Sequence, residues 1–247
     1  MKQLLETVFL VLLPTFLLAQ PFPMSQTAID SLTEKLKTLP QDTNRVMALY
    51  WLARVKTSTN PTESIQLSEQ GIDLAQKNNF PVGKMNCLRA SAFAYGITGS
   101  PEKGIKLAYE AIELSRKYAP IDEVYLLNIM SLCYGFAGDD KESFIWAEKA
   151  YKHPLLFEVS DVALGRWASM MQLGHLYEKF NNLDSGFYFA QKSLVLSKEE
   201  HLSSLEAYSL AILSRIAFKR NQFNDAIDYN QQSTTIHKKF NNEYPIH

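Results

Sequence analysis

The side chains that could carry chemistry in this chain are scattered along it. None of the five histidines has a second histidine four residues away with a carboxylate between, the spacing typical of a zinc site. The adjacent carboxylates Asp139–Asp140 and Glu199–Glu200 are better explained as helix caps or solvated residues than as an acid/base pair, because neighbouring side chains on a helix diverge. No phosphate-binding glycine loop or dinucleotide fingerprint is present. We therefore predict no enzyme activity, no catalytic or metal-binding residue and no cofactor.

Two cysteines, Cys87 and Cys133, are the remaining candidates for covalent chemistry. They fall at different heights on neighbouring predicted helices, which favours two small buried apolar side chains. A disulfide between them is the alternative, since the chain begins like an exported protein.

The elements that must position these side chains repeat along the sequence. Five segments each contain a turn, then a small residue, then further small residues four and seven positions later, with only Asn230 departing from Gly, Ala or Ser. The first small residues, spaced by 39 to 43 positions, are Ser64, Gly104, Ser143, Gly186 and Ala226. An amphipathic stretch precedes each turn, so each segment is predicted to be a helix, a tight turn and a second helix. Small residues on one face indicate that the two helices pack closely.

Proline positions support this assignment, because proline is excluded from helix interiors but accepted in the first turn. From Pro40 onward, the prolines fall between the predicted repeats or within their turns, and the last one follows the fifth repeat. Composition adds that the chain is balanced in charge, with 25 basic and 26 acidic residues and no long basic run. Nucleic acid is therefore not a predicted partner.

The first residues, MKQLLETVFLVLLPTFLLAQ, are typical of a secretory signal peptide cleaved near Ala19. The apolar run is short for a membrane span, which needs about 20 residues, and Pro14 weakens it further. Retention as an anchor is the alternative. We expect an exported, periplasmic protein that meets a membrane only through an uncleaved signal or a downstream segment.

The repeats resemble those of tetratricopeptide repeat (TPR) proteins, with about forty residues each. In the fourth repeat the matching residues are Leu173, Gly174, Tyr177, Gly186, Ala190 and Ser193, and in the second they are Leu88, Ala92, Tyr95, Gly104, Ala108 and Ala111. The resemblance implies an all-α, right-handed α-solenoid of five long-helix repeats after a signal peptide and a short N-terminal helix. More weakly, the start of the chain is similar to the periplasmic TPR sensor region of bacterial sensor histidine kinases.

The predicted organisation has four parts. Residues 1–19 form the signal peptide, 20–41 a helical lead-in, 42–240 the repeat array, and 241–247 a tail or the start of a truncated further repeat. The five repeats cover about 42–79, 81–118, 121–153, 160–200 and 203–240. The chain is interpreted as the front of a longer protein or as one that has lost an output domain.

In the TPR family the first helix of each repeat lines a concave groove that binds peptides or partner helices. This resemblance places twelve side chains in the groove: Tyr50, Arg54, Asn86, Arg89, Phe93, Tyr125, Asn128, His175, Glu178, Tyr208, Arg215 and Phe218. We expect Arg89, Asn86 and Asn128 to form a polar group across adjacent repeats. The predicted function is a non-catalytic scaffold that binds a protein or peptide, as the sensor portion of a signalling system. The alternatives are a self-assembling envelope component and a subunit that positions an enzyme.

Overall fold

The computed structural model describes residues 26–158 and 163–243, and in these ranges all regular secondary structure is helical. The predicted signal peptide lies outside the described residues. The short lead-in helix is α1, Gln26–Thr38. Ten further helices form five consecutive pairs: α2 (Thr43–Thr59) with α3 (Pro61–Lys77), α4 (Pro81–Ile97) with α5 (Pro101–Tyr118), α6 (Glu123–Phe136) with α7 (Asp140–Tyr151), α9 (Ala163–Lys179) with α10 (Leu183–Glu199), and α11 (Ser203–Lys219) with α12 (Phe223–Glu243).

Two short helical elements connect pairs. The 3-10 helix Pro120–Asp122 precedes α6, and the four-residue helix α8, Leu155–Glu158, follows α7. The last helix, α12, runs three residues past position 240, where the fifth repeat was predicted to end. The all-α fold of five helix-turn-helix repeats is confirmed.

The described residues divide into two compact units, 26–172 and 173–243. In the first unit, one core lies around Leu49 and Tyr50 and another around Met85 and Met130. In the second unit the fully buried large side chains are Leu173, Leu176, Leu210, Leu213 and Ile216. Each core is made by helices from successive pairs, because one pair alone cannot cover its apolar face.

Side-chain caps explain where several helices begin. Asp42 accepts hydrogen bonds from the backbone N–H groups of Asn44 and Arg45, and Asn60, Asp139 and Asn182 cap α3, α7 and α10 in a similar way. These oxygens satisfy N–H donors that the first helical turn leaves without a partner. The turns at these positions are therefore encoded locally.

The small residues of the second helices allow close helix contact, as predicted. A Cβ atom added to Gly104 would lie 2.6 Å from the carbonyl oxygen of Ala92 in the facing helix. One added to Gly186 would lie 3.1 Å from the backbone nitrogen of Glu178. Larger side chains at these two positions would force the paired helices apart.

Serine hydroxyls also join the paired helices. Ser131 on α6 donates to the carbonyl oxygen of Ser143 on α7 at 2.8 Å, and Ser214 on α11 donates to that of Ala226 on α12 at 2.6 Å. Each serine lies twelve residues before its acceptor. The two contacts are thus equivalent in the repeat, and they satisfy buried polar groups where the helices approach.

Cys87 and Cys133 are both buried and neither forms a disulfide. The Sγ atom of Cys133 lies 3.6 Å from the carbonyl oxygen of Ala92, and Cys87 packs against Gly71. Burial raises the pKa of both thiols to about 12. The interpretation of these residues as small buried side chains is confirmed.

The lead-in helix α1 is joined to the array by Arg45. Its guanidinium donates to the carbonyl oxygens of Leu36 at 2.6 Å and Leu39 at 2.8 Å, which belong to the end of α1 and the residue after it. The carbonyls at a helix end have no partner within the helix, so a cation there is favourable. Across 26–158 and 163–243, none of the helices has the length and hydropathy required to cross a bilayer.

Candidate functional site

Five predicted or neighbouring side chains meet around Arg89 on the first-helix side of three successive pairs. We call this group the Arg89 cluster: Tyr50 and Arg54 of α2, Arg89 of α4, Asp122 of the 3-10 helix and Tyr125 of α6. All five belong to the compact unit 26–172. Their meeting follows from the repeat, since equivalent positions of successive first helices lie side by side.

The Arg89 guanidinium is held by two tyrosines and one carboxylate. Its carbon lies 5.5 Å from the centre of the Tyr50 ring and 5.6 Å from that of Tyr125. It donates to the hydroxyl of Tyr50 through Nη2 and to Asp122 Oδ1 at 3.0 Å through Nη1. The Arg89 side chain is only 15% exposed and that of Asp122 is 24% exposed.

The two arginines of the cluster differ in the direction in which their pKa values are shifted. Burial alone lowers the pKa of Arg89, but Tyr50 and Asp122 outweigh it and the pKa is raised. For Arg54, burial dominates and the pKa is lowered, with a further contribution from the positive charge of Arg89. Arg89 is thus a stable, partly desolvated cation.

Contrary to the prediction, Asn86 and Asn128 do not form a polar group with Arg89. The side-chain amide of Asn128 donates to Ser169 Oγ at 3.0 Å and to the backbone carbonyl of Val124 at 3.0 Å, and its Oδ1 atom is buried without a hydrogen-bond partner. Asn86 is buried on α4. The reason is register: Asn128 faces α9, whereas Arg89 reaches towards α2 and the start of α6.

A second group, the Glu178 cluster, forms in the compact unit 173–243. It consists of His175 and Glu178 on α9 and Arg215 and Lys219 on α11. Glu178 Oε2 accepts from Arg215 Nη2 at 3.0 Å and Nε at 3.2 Å, and Oε1 lies 2.5 Å from Lys219 Nζ. Arg215 Nη2 is also 2.9 Å from His175 Nδ1.

Glu178 is an ionised carboxylate despite its burial. Burial alone raises its pKa, but the nearby His175, Arg215 and Lys219 side chains together lower the pKa far below the usual range. Its side chain is 6% exposed, against 40% for Lys219. Such a buried, multiply bonded carboxylate ties two neighbouring first helices together.

The remaining predicted groove residues are partly buried aromatics. The ring of Tyr208 makes an edge contact with His237 at 5.5 Å, and that of Phe218 makes one with Phe223 at 5.7 Å. Phe93 is half-buried on α4. Four of the twelve predicted residues are more enclosed than an open groove surface requires: Tyr50, Asn86, Asn128 and Glu178.

Sequence reasoning missed three partners in these groups: Asp122, Ser169 and Lys219. Lys219 had a detectable signal, because it follows Arg215 by four residues on the same helix face. Asp122 carried only a weak one, as an acidic residue at a helix start. In the part of the chain that the structure describes, no group of three His, Cys, Asp or Glu side chains could hold a metal ion.

No protein-family model matches the sequence, and comparison with curated proteins gives no match. Solved structures do resemble the fold. BtubC (BKLC) from P. vanneervenii superposes with a TM-score of 0.63 at 13% identity, covering 90% of each chain. Aspartyl phosphate phosphatase F from Bacillus subtilis gives 0.63 at 11% identity, covering 89% of this chain and 57% of its own. A signal transduction ATPase with a tetratricopeptide repeat sensor from Pyrococcus horikoshii gives 0.58 at 13%, covering 87% and 39%.

Proposed function

Because the chain has the helical repeat fold of tetratricopeptide repeat proteins, we propose that it is a non-catalytic scaffold that binds a protein or peptide. The observation that supports this most directly is the Arg89 cluster. A cation between two aromatic rings combines a charge-assisted hydrogen bond with rigid contact area, and such residues dominate the energy of protein interfaces. We assign the binding surface to the first-helix side of the unit 26–172.

Capture of a partner tests this function. Residues 20–247, carrying an affinity tag, would be incubated with an envelope extract of the native cell, and bound proteins identified by mass spectrometry. We expect a specific partner that Arg89→Gln loses. Arg116→Gln is the matched control, because Arg116 is an exposed arginine of α5 that pairs with Glu113 and Glu123. A partner that both variants retain equally would show that Arg89 is not part of the binding surface.

We further propose that the protein is exported and acts as the sensor portion of a signalling system. The signal-peptide pattern of residues 1–19 supports export, and the tetratricopeptide repeat sensor of the P. horikoshii ATPase supports the sensor role by likeness of fold. Immunoblotting of periplasmic and membrane fractions tests both ideas. A soluble periplasmic band below 28.1 kDa would fit a cleaved, free scaffold, whereas a much larger membrane-bound band would fit a receptor. A cytoplasmic band would contradict export.

A further inference from the structure

Asp122 differs from the other members of the Arg89 cluster in where it lies. It belongs to the 3-10 helix Pro120–Asp122 that joins α5 to α6, whereas Tyr50, Arg89 and Tyr125 lie within long helices. Asp122 directly precedes α6, but its carboxylate caps no backbone N–H group of that helix and, among the described residues, hydrogen-bonds to Arg89. Rotation of the short Asp122 side chain can therefore release the carboxylate from Arg89 without moving the backbone.

The contact between Asp122 and Arg89 uses only part of the hydrogen-bonding capacity of each group. Only Oδ1 of Asp122 accepts from Arg89, through Nη1, although a carboxylate and a guanidinium can pair through two parallel hydrogen bonds. Arg89 has five N–H groups and makes two hydrogen bonds, one to Asp122 and one to Tyr50. Donor capacity thus remains on the guanidinium.

Arg89 also has contacts that do not involve Asp122. The rings of Tyr50 and Tyr125 lie on it, and the hydroxyl of Tyr50 accepts its Nη2 hydrogen bond. If Asp122 left, the guanidinium would stay in place as a partly buried cation without a counter-ion. That state is costly, so a carboxylate from another molecule would be drawn to it.

We propose that Asp122 is an internal competitor at the binding surface and that the partner supplies a carboxylate side chain that replaces it on Arg89. The partner segment is therefore acidic, with an apolar residue beside the acid to contact Tyr125 and the half-buried Phe93. This proposal rests on the proposed function, because it names the chemistry of the segment bound at the same surface. It gives opposite signs for two substitutions in one ion pair: loss of Arg89 weakens binding, and loss of the Asp122 charge strengthens it.

Two synthetic probes test the proposal. Both are fluorescein-labelled heptapeptides, Gly-Ser-Glu-Phe-Glu-Ser-Gly and the same peptide with glutamine in place of each glutamate, and fluorescence anisotropy measures their Kd for residues 20–247. We expect Asp122→Asn to bind the glutamate probe on the order of tenfold tighter than the wild type, the effect of about 1.4 kcal/mol. The glutamine probe should change little. Arg89→Gln should bind the glutamate probe more weakly than the wild type, and added salt should reduce the preference for it.

Asp73→Asn is the matched control, because it removes the same charge from an exposed position on α3 in the same compact unit. It should leave both affinities unchanged. Far-UV circular dichroism would show that each variant keeps its helices. Binding by Asp122→Asn that equals or falls below that of the wild type would overturn the proposal.

The outcomes also separate this proposal from the proposed function. Equal affinity of both probes for every variant would overturn the proposal, because the surface would then bind peptides without preferring acids. Failure of both probes with wild type and Asp122→Asn alike, together with retained partner capture that depends on Arg89, would overturn the acidic segment alone. If partner capture does not depend on Arg89, the binding surface itself is wrong.

Discussion

At the scale of single residues, Glu178 shows how partners can outweigh burial. Its carboxylate bonds to Arg215 and Lys219 of the neighbouring first helix, and these contacts keep the pKa low. A group whose pKa is lower in the folded state stabilises the fold above its unfolded pKa, and that contribution is lost as the pH falls through the folded value. The stabilisation by Glu178 is therefore complete near neutral pH.

We predict that Glu178→Gln lowers the free energy of unfolding by about 2 kcal/mol near neutral pH, since it leaves two cations facing a neutral amide. The figure lies below that for a fully buried pair because Lys219 is 40% exposed. The difference between variant and wild type should shrink as the pH falls below 4.5, the ordinary pKa of the group. Urea unfolding at several pH values measures it.

Glu199→Gln provides the control for this prediction, because Glu199 is an exposed residue at the end of α10. It should change stability by less than about 0.5 kcal/mol. A pH-independent difference between Glu178→Gln and the wild type would show that Glu178 acts through packing instead of charge.

At the scale of helices, two glycines with different surroundings can show whether glycine is needed for close packing of two helices or only affects the stability of its own helix. A Cβ at Gly104 would lie 2.6 Å from the backbone oxygen of Ala92, while the nearest atom to a Cβ at Gly135 is Ser143 Oγ at 3.4 Å. We predict that Gly104→Ala destabilises the protein by about 2 kcal/mol, because α4 and α5 must separate. Gly135→Ala should cause no loss, because alanine favours the helix.

Thermal unfolding followed by circular dichroism distinguishes the two glycine variants. Equal destabilisation by both would indicate that flexibility, and not close approach, is the reason for glycine in these helices. Equal stability of both would mean that the backbone at Ala92 yields easily to an added methyl group.

The sequence predicted the helices better than it predicted the site, and the residues show why. Helix faces follow from a local period, so the small residues around Gly104 and Gly186 revealed which faces meet. The Arg89 cluster depends instead on contacts between residues 33 and 39 positions apart, to Asp122 and Tyr50. Which of several nearby acceptors a long side chain reaches is decided by rotamers and packing, and a one-dimensional pattern holds no information on these.

At the scale of the whole molecule, stability in a repeat array is the sum of each helix pair and its contacts with its neighbours. Each added neighbour buries an apolar face that a pair leaves open, and about three repeats are needed for a stable core. Residues 26–158 contain three pairs and two cores, one around Leu49 and the other around Met85 and Met130. Residues 163–243 contain two pairs.

We therefore predict that the two fragments behave differently when expressed alone. Fragment 26–158 should be helical and unfold cooperatively in urea, because it has three pairs and most of the large buried side chains. Fragment 163–243 should be less stable by several kcal/mol and unfold over a broad range, although the Glu178 cluster remains intact within it. Circular dichroism and urea unfolding of both fragments, with residues 20–247 as the reference, measure this. If fragment 163–243 unfolds as cooperatively as fragment 26–158, the polar contacts of Glu178 stabilise two pairs as well as a third pair would.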